Sequence, residues 1–136
     1  PMLTVLTALA GYDDTDALVL SRKHVKKSEL EGYPGGHRGI AAYFTPSAAL
    51  QKQRWKACRF NLDHEHPEEW EAYAEAYKRE MRESYKRHPV AWTTLLSWER
   101  VVLLCSGANP ERSVRVVLAR DVLTKLGARY EGELGS

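Results

Sequence analysis

The stretch that decides the fold runs from residue 101 to residue 126 and reads VVLLCSGANPERSVRVVLARDVLTKL. Its first five residues, 101–105, are apolar and rich in β-branched side chains, which predicts a short buried strand. The next segment, Ser106-Gly107-Ala108-Asn109-Pro110, has the composition of a turn. Residues 101–110 are therefore predicted to form a strand followed by a tight polar loop.

A helix is predicted after this loop, because the apolar residues then recur at three- and four-residue steps. Asn109 is the expected N-cap, with Pro110 at the first helical position. Gly127 is the expected stop. The apolar face of the predicted helix consists of Val114, Val117, Leu118, Val122 and Leu126.

The loop between strand and helix is the predicted ligand site. Amide groups at a helix start attract anions when they lie near the carboxyl end of a strand. Glu111 weakens such a site unless it points to solvent, because it carries the wrong charge. The leading interpretation is a protein that binds a phosphate-bearing small molecule or a nucleotide at residues 106–115. The side chains placed there are Ser106, Asn109, Ser113 and Arg115.

The remaining segments have the patterns of two strands and then three helices before the central strand, and of one more strand after the last helix. Thr45 is a good N-cap for a helix that begins at Pro46. The order predicts an α/β fold, a single-domain three-layer sandwich with a mostly parallel sheet and residues 101–105 at its centre. The predicted strands are 3–9, 16–21 and 128–134, and the other predicted helices are 46–54, 66–87 and 90–98.

Length and composition indicate one ordinary globular domain over residues 1–136. The net charge of +2 gives no general attraction to nucleic acid or to an anionic membrane. No apolar run approaches the ~20 residues of a membrane span, and the first ten residues lack the basic start of a secretion signal. Two cysteines form no disulfide framework, which favours reduced thiols and a cytoplasmic location. Pro1 and Gly135-Ser136 are interpreted as residues added for expression.

A basic cluster at residues 22–27 follows the second predicted strand and begins with Arg22. If that strand is parallel to the central one, their carboxyl ends share an edge, so Arg22 and Arg115 are expected to face a common cleft. Two adjacent arginines need a carboxylate or a bound anion. Glu111 or Asp13-Asp14 are the expected carboxylates. Nucleic-acid binding through the same cluster is a third and less favoured interpretation.

Catalytic and metal-binding patterns are weak. Cys105 precedes a loop with arginines, as in cysteine phosphatases and rhodaneses, but those enzymes place the arginine one residue nearer than Arg112 is here. Cys105 is therefore interpreted as a small buried residue of the strand. His64 and His66 lack a third ligand pair, so no metal is predicted. No nucleotide fingerprint occurs, and no cofactor is predicted.

The second functional interpretation, from a different class, is a protein interaction module or homodimer that binds no small ligand. It rests on tryptophans expected to be exposed, Trp55, Trp92 and Trp98. The aromatic stripe of the 66–87 helix is assigned to the core instead, because its spacing matches one helix face.

Three blocks of the chain resemble the family called domain of unknown function 488, in particular its YeaO-like branch. Residues 44–50, FTPSAAL, are similar to the family's APS-x-x-L segment. The pattern Trp70-x-x-Tyr73-x-x-x-Tyr77-x-x-Glu80 is similar to its aromatic helix. VVLLCS at 101–106, followed by Arg115, is similar to its hydrophobic strand and next helix.

The departures from that family limit what the resemblance implies. Some members carry Cys-His-Arg at the helix start, where this chain has Ser113-Val114-Arg115. A Trp-Pro-Arg-Gly loop after an early arginine is also absent, although Arg22 is kept. The resemblance therefore implies a divergent member with the α/β fold and points to Arg22 and Arg115, and it supplies no reaction.

Overall fold

The sheet consists of four parallel strands in the part of the chain that this computed structural model describes, residues 2–20, 40–58, 67–107 and 109–135. The strands are β1 (Thr4–Leu9), β2 (Ala17–Val19), β3 (Arg100–Cys105) and β4 (Arg129–Leu134). Their order in the sheet is β2-β3-β1-β4. The prediction of an α/β fold with a parallel sheet is confirmed. So is the inner position of residues 101–105, which are at most 3% exposed.

Helices occupy most of the described chain between these strands. α1 (Ala48–Cys58), α2 (Pro67–Arg87) and α3 (Pro89–Ser97) lie between β2 and β3, close to the predicted ranges. α4, residues 114–126, connects β3 to β4. The first turn of α2 is acidic and its last turn is basic, so charges at both ends favour the helix dipole.

The start of α1 corrects the prediction that Thr45 caps this helix. Ser47 is the cap, because its hydroxyl oxygen accepts a hydrogen bond from the amide of Leu50 at 3.1 Å. Thr45 is buried and donates its own hydroxyl to the carbonyl of Ala41 at 2.8 Å. Thr45 and Ser47 both have a hydroxyl close to the helix start. The hydroxyl of Thr45 is bonded to the preceding turn, and that of Ser47 caps the helix.

α4 is a composite helix, whereas the apolar spacing predicted one regular helix from Pro110. Asn109 does act as a cap, since its Oδ1 accepts from the amide of Glu111 at 3.1 Å, but it caps a separate 3-10 turn, Pro110–Arg112. Gly127 ends the helix as predicted, in the left-handed region at φ 100°. Within α4, an α segment, a π segment and a 3-10 segment follow one another: Val114–Val116, Val117–Leu123 and Thr124–Leu126.

The core divides between the two faces of the sheet. Val5 and Leu103 belong to a large buried cluster on one face, to which all four helices contribute. Ala8 and Val102 belong to a smaller cluster on the other face, against which Tyr12 packs. Because successive side chains of a strand point to opposite faces, each inner strand contributes to both clusters, and β3 is apolar from Val101 to Cys105.

Trp92 lies in the core, which corrects its interpretation as an exposed contact residue. Its ring is 1% exposed and its Nε1 donates a hydrogen bond to Ser84 Oγ at 3.0 Å. Phe44 meets it edge-on with the ring centroids 4.8 Å apart. A buried indole needs a partner for its N–H, and α2 supplies one.

The connection from β1 to β2, residues 10–16, is held at the amino end of β3 by Arg100. Its Nη1 donates to Asp14 Oδ1 at 2.7 Å and to Asp16 Oδ2 at 2.8 Å, and its Nη2 donates to Asp14 Oδ2 at 3.0 Å. The hydrogen bond from Arg100 lowers the pKa of Asp14 below 3.8, although partial burial acts in the opposite direction. Asp14 therefore lies at the edge of the sheet opposite to the carboxyl ends of the strands.

Asp14→Asn is expected to reduce the free energy of unfolding by about 1 kcal/mol near neutral pH, since it removes one charge-assisted hydrogen-bonded pair at a partly exposed site. Because the pKa of Asp14 is lowered in the folded state, the pair stabilises the protein above the unfolded pKa of about 3.9. The contribution is lost as the pH falls through the lower folded value. Urea unfolding of both proteins across this range should show the difference shrinking below about pH 4. Asp13→Asn is the matched control, and an equal effect there would contradict the assignment.

Candidate functional site

A polar cluster lies at the carboxyl edge of the sheet, beneath the loop that follows β3. Its centre is Arg115 of α4, a fully buried guanidinium. Nε donates to Glu133 Oε1 at 3.0 Å and Nη2 donates to Glu133 Oε2 at 2.7 Å. Nη1 donates to the carbonyl of Gly107 at 3.0 Å and, at 3.3 Å each, to the carbonyl and the Sγ of Cys105. Arg115 thus joins β4, the end of β3 and the loop.

The parallel register of the sheet explains why these residues meet. Leu9 at the end of β1 is level with Cys105 at the end of β3. Glu133 pairs with Thr7 of β1, so it lies in the strand on the far side of β1 from β3. α4 packs over the same face of the sheet. From there the long side chain of Arg115 contacts both Cys105 at the end of β3 and Glu133 of β4.

The charges of this cluster are mutually stabilising. The hydrogen bond from Arg115 lowers the pKa of Glu133, with burial acting against it and Thr7 adding to the lowering. Burial disfavours the charge of Arg115, but the hydrogen bonds to Glu133 and Cys105 outweigh it and raise the arginine pKa. Beside them, the hydroxyls of Thr7 and Tyr130 are 2.7 Å apart. Both ionic partners are therefore charged at neutral pH.

The carboxylate that neutralises Arg115 is Glu133, and not Glu111 or Asp13-Asp14 as the sequence predicted. Glu111 is exposed and accepts from Nη1 of Arg120 at 3.1 Å, so it points away from the cluster. The signal for Glu133 in the sequence was slight, because it is one of two glutamates in a short terminal strand. Only the register of that strand distinguishes Glu133 as the partner.

The other predicted site residues take different places around the loop. Ser106 and Asn109 are exposed, and Asn109 uses its side chain to cap the 3-10 turn. Ser113 is fully buried and donates its hydroxyl to the carbonyl of Pro110 at 2.7 Å, so its side chain does not cap α4. Ser106 and Gly107 of the loop are therefore exposed to solvent. The buried side chains of Arg115 and Ser113 donate hydrogen bonds to its carbonyls, at Gly107 and Pro110.

Arg54 of α1 also supports this loop, a role that no pattern in the sequence indicated. Its Nη2 donates to the carbonyl of Arg112 at 2.6 Å. Its guanidinium carbon lies 4.6 Å from the ring centroid of Trp70 and 5.0 Å from that of Tyr73. Burial raises the pKa of Tyr73 to about 12, although Arg54 acts to lower it. An isolated arginine in a polar helix carries no sequence signal for such a role.

Two of the blocks that carry the resemblance, residues 44–50 and 70–80, meet where α1 begins beside α2. Glu80 accepts two hydrogen bonds from Ser47 at the start of α1, from the amide at 2.9 Å and from the hydroxyl at 2.6 Å. Tyr77 donates its hydroxyl to the carbonyl of Phe44 at 2.6 Å, and burial raises its pKa well above 10.0. These motif residues therefore join α1 to α2 and have a structural role.

Several sequence predictions fall on residues outside the described ranges. They concern Arg22 and the basic cluster 22–27, the His64 and His66 pair, and the side chain of Trp55. Within the described ranges, no group of three or more His, Cys, Asp or Glu side chains is placed to hold a metal ion. None of the described helices combines the length and the apolar composition that crossing a lipid bilayer requires.

Comparison with known families agrees with the motif blocks. A family model described as the active DUF488-N3 subclade matches residues 23–127, which is more than half of the chain. This chain belongs to the DUF488 family. The matched region of this DUF488 protein includes Arg54, Cys105 and Arg115, whereas Thr7 and Glu133 lie beyond its two ends. The YeaO-like branch stays a prediction, because the match names the N3 subclade. No curated protein and no solved structure matches the chain.

Proposed function

We propose that this DUF488 protein binds a phosphate-bearing small molecule or a nucleotide at the loop of residues 106–113. The observation that carries the proposal is the anchoring of this loop by Arg115, which fixes its backbone from below while Ser106 and Gly107 remain exposed. The loop stands at the carboxyl edge of a parallel sheet, where α/β proteins commonly bind ligands. A loop that is anchored at Gly107 and exposes Ser106 at that edge is a suitable anion site.

Arg115 serves this site as a positioning residue. Its three guanidinium nitrogens donate to Glu133, Cys105 and Gly107, so the ligand would contact the loop and not the guanidinium. The Ser106 hydroxyl and the loop amides are the contacting groups in this proposal, with the uncapped start of α4 adding a favourable dipole. Arg22 belongs to the proposal as predicted from the sequence, as a second cation at the same edge.

The interaction-module or homodimer alternative remains a prediction with less support. Trp92 does not contribute to it because it is buried, and Trp98 packs partly buried against the core. The described large apolar side chains that are exposed are Met2, Leu9, Tyr85 and Val90. Met2 and Leu9 flank the two ends of β1, so they do not form one patch.

The test is thermal stability in the presence of inorganic phosphate or nucleotides. A ligand present at about 100 times its dissociation constant should add about 2.7 kcal/mol to the free energy of unfolding. Ser106→Glu should abolish this gain, because it puts a like charge at the proposed site. Since Ser106 is exposed, the variant without ligand should differ in stability by only about 0.5 kcal/mol.

Thr93→Glu is the control for this experiment. It adds the same charge on the exposed side of α3, away from the loop, and should keep the full ligand response. The proposal fails if no phosphate compound stabilises the protein, or if Ser106→Glu and Thr93→Glu respond alike. Arg115→Ala is unsuitable for this purpose because it removes the anchor of the loop together with any ligand contact.

A further inference from the structure

A groove lies between α2, α3 and the second half of α4, with a volume of about 260 Å³. We propose that it binds a small molecule with a flat apolar body and one anionic group. The loop after β3 precedes α4 and contributes none of the lining residues, so this site is separate from the proposed phosphate site. The inference therefore does not rest on the proposed function.

The floor of the groove is apolar and partly aromatic. Met81 and Trp92 are at most 2% exposed and close it from the core side. Tyr85 stands at its side with 46% of its surface exposed, and its ring meets that of Trp92 edge-on with the centroids 5.6 Å apart. Val122 and Leu126 of α4 complete the apolar lining. An exposed tyrosine ring beside an apolar floor offers a surface for a planar molecule.

The rim of the groove carries an excess of positive charge. The charge of Lys78 is already neutralised, since its Nζ lies 3.1 Å from Glu75 Oε1 and 3.7 Å from Asp121 Oδ2. The other cations are Arg82 and Lys86 of α2 and Lys125 of α4. Within the described chain, none of these three side chains has a carboxylate within 4.0 Å.

The arrangement of these cations favours an anionic ligand. Arg82 and Lys86 are four residues apart on one helix, so they face the same side and repel each other. Lys125 brings a third like charge from the opposite wall. The acid of the groove, Asp121, is engaged by Lys78 and by Arg120 at 3.2 Å. An anion placed between the three cations would relieve the repulsion.

The geometry of α4 contributes to the shape of the groove. Asp121 and Val122 belong to its π segment, Val117–Leu123. π-helical turns are rare and occur frequently at functional sites, because they displace side chains relative to a regular helix. The volume of about 260 Å³ is at the small end of ligand pockets, which fits one ring system of two fused rings.

The test uses naphthalene-2-sulfonate as the anionic probe and naphthalene-2-sulfonamide as its uncharged counterpart, with binding measured by calorimetry. The sulfonate should bind at least about tenfold more tightly than the sulfonamide, because only the sulfonate interacts with the rim charges. Arg82→Glu should weaken sulfonate binding by about fivefold or more and leave sulfonamide binding little changed. Tyr85→Ala should weaken both probes, because it removes part of the apolar wall.

Lys52→Glu is the matched charge reversal for this experiment, at an exposed position of α1 that does not line the groove. It should leave both affinities within about twofold, whereas higher salt should weaken only the sulfonate. Absence of sulfonate binding, equal binding of the two probes, or equal effects of Arg82→Glu and Lys52→Glu would each overturn the proposal. Ser106→Glu should not affect the sulfonate, so failure here is distinguishable from failure at the loop.

Discussion

Arg115→Met is expected to lower the free energy of unfolding by about 3–5 kcal/mol, the usual cost of breaking a buried ion pair by removing one partner. Methionine keeps much of the volume of the arginine but leaves three acceptors without their donor: the Glu133 carboxylate and the carbonyls of Cys105 and Gly107. The Cys105 carbonyl is buried and the Glu133 carboxylate is mostly buried, so without their donor these two acceptors retain a desolvation cost. Urea unfolding at neutral pH measures the loss.

Arg120→Met is the matched control, since Arg120 is an arginine of the same helix whose pairs with Glu111 and Asp121 are exposed. It should cost no more than about 1 kcal/mol. A loss below about 1 kcal/mol in Arg115→Met would contradict the anchoring role. The double variant Arg115→Met with Glu133→Gln should recover part of the loss, because the unpaired charge is then removed.

The effect of Arg115→Met should also depend on pH. The pKa of Glu133 is lowered in the folded protein, first of all by its hydrogen bond from Arg115. The pair therefore stabilises the fold fully above the unfolded glutamate pKa of about 4.3 and less as the pH falls through the lower folded value. The difference in stability between wild type and Arg115→Met should accordingly shrink below about pH 4.

Leu103→Ala is the second substitution with a large expected effect, a loss of about 2–5 kcal/mol. Leu103 is fully buried in the middle of β3, where it packs in the cluster beneath the helices and pairs with Thr7 and Leu18 of the two neighbouring strands. Alanine would leave a cavity that close-packed surroundings fill only in part. Denaturant unfolding monitored by circular dichroism gives the value.

Leu9→Ala provides the comparison within the sheet. Leu9 is also a strand leucine next to β3, but it is 46% exposed, so its truncation should cost at most about 1 kcal/mol. Equal losses in the two variants would mean that the inner position of β3 does not determine the cost. The same leucine-to-alanine change thus separates burial from strand propensity.

Local patterns in the sequence were sufficient for the elements that depend on near neighbours. The apolar run of 101–105, the stripe of α2 and the stop at Gly127 each have a cause within a few residues, namely side-chain periodicity or a positive φ. The capping residue of α1 was misplaced by two positions, because Thr45 and Ser47 have the same local chemistry. Ser47, which is the cap in the structure, also forms hydrogen bonds with Glu80, thirty-three residues away, and no local pattern reports such a contact.

What the sequence by itself determined is therefore the α/β order of elements, the inner strand and the loop that follows it. The tertiary structure alone decided what Arg115 does, because Glu133 reaches it only through the parallel pairing of β4 with β1. It also decided that Trp92 lies in the core and that α4 consists of an α, a π and a 3-10 segment. Local patterns report which residues share a face, whereas charge partners and packing depend on contacts between segments distant in the chain.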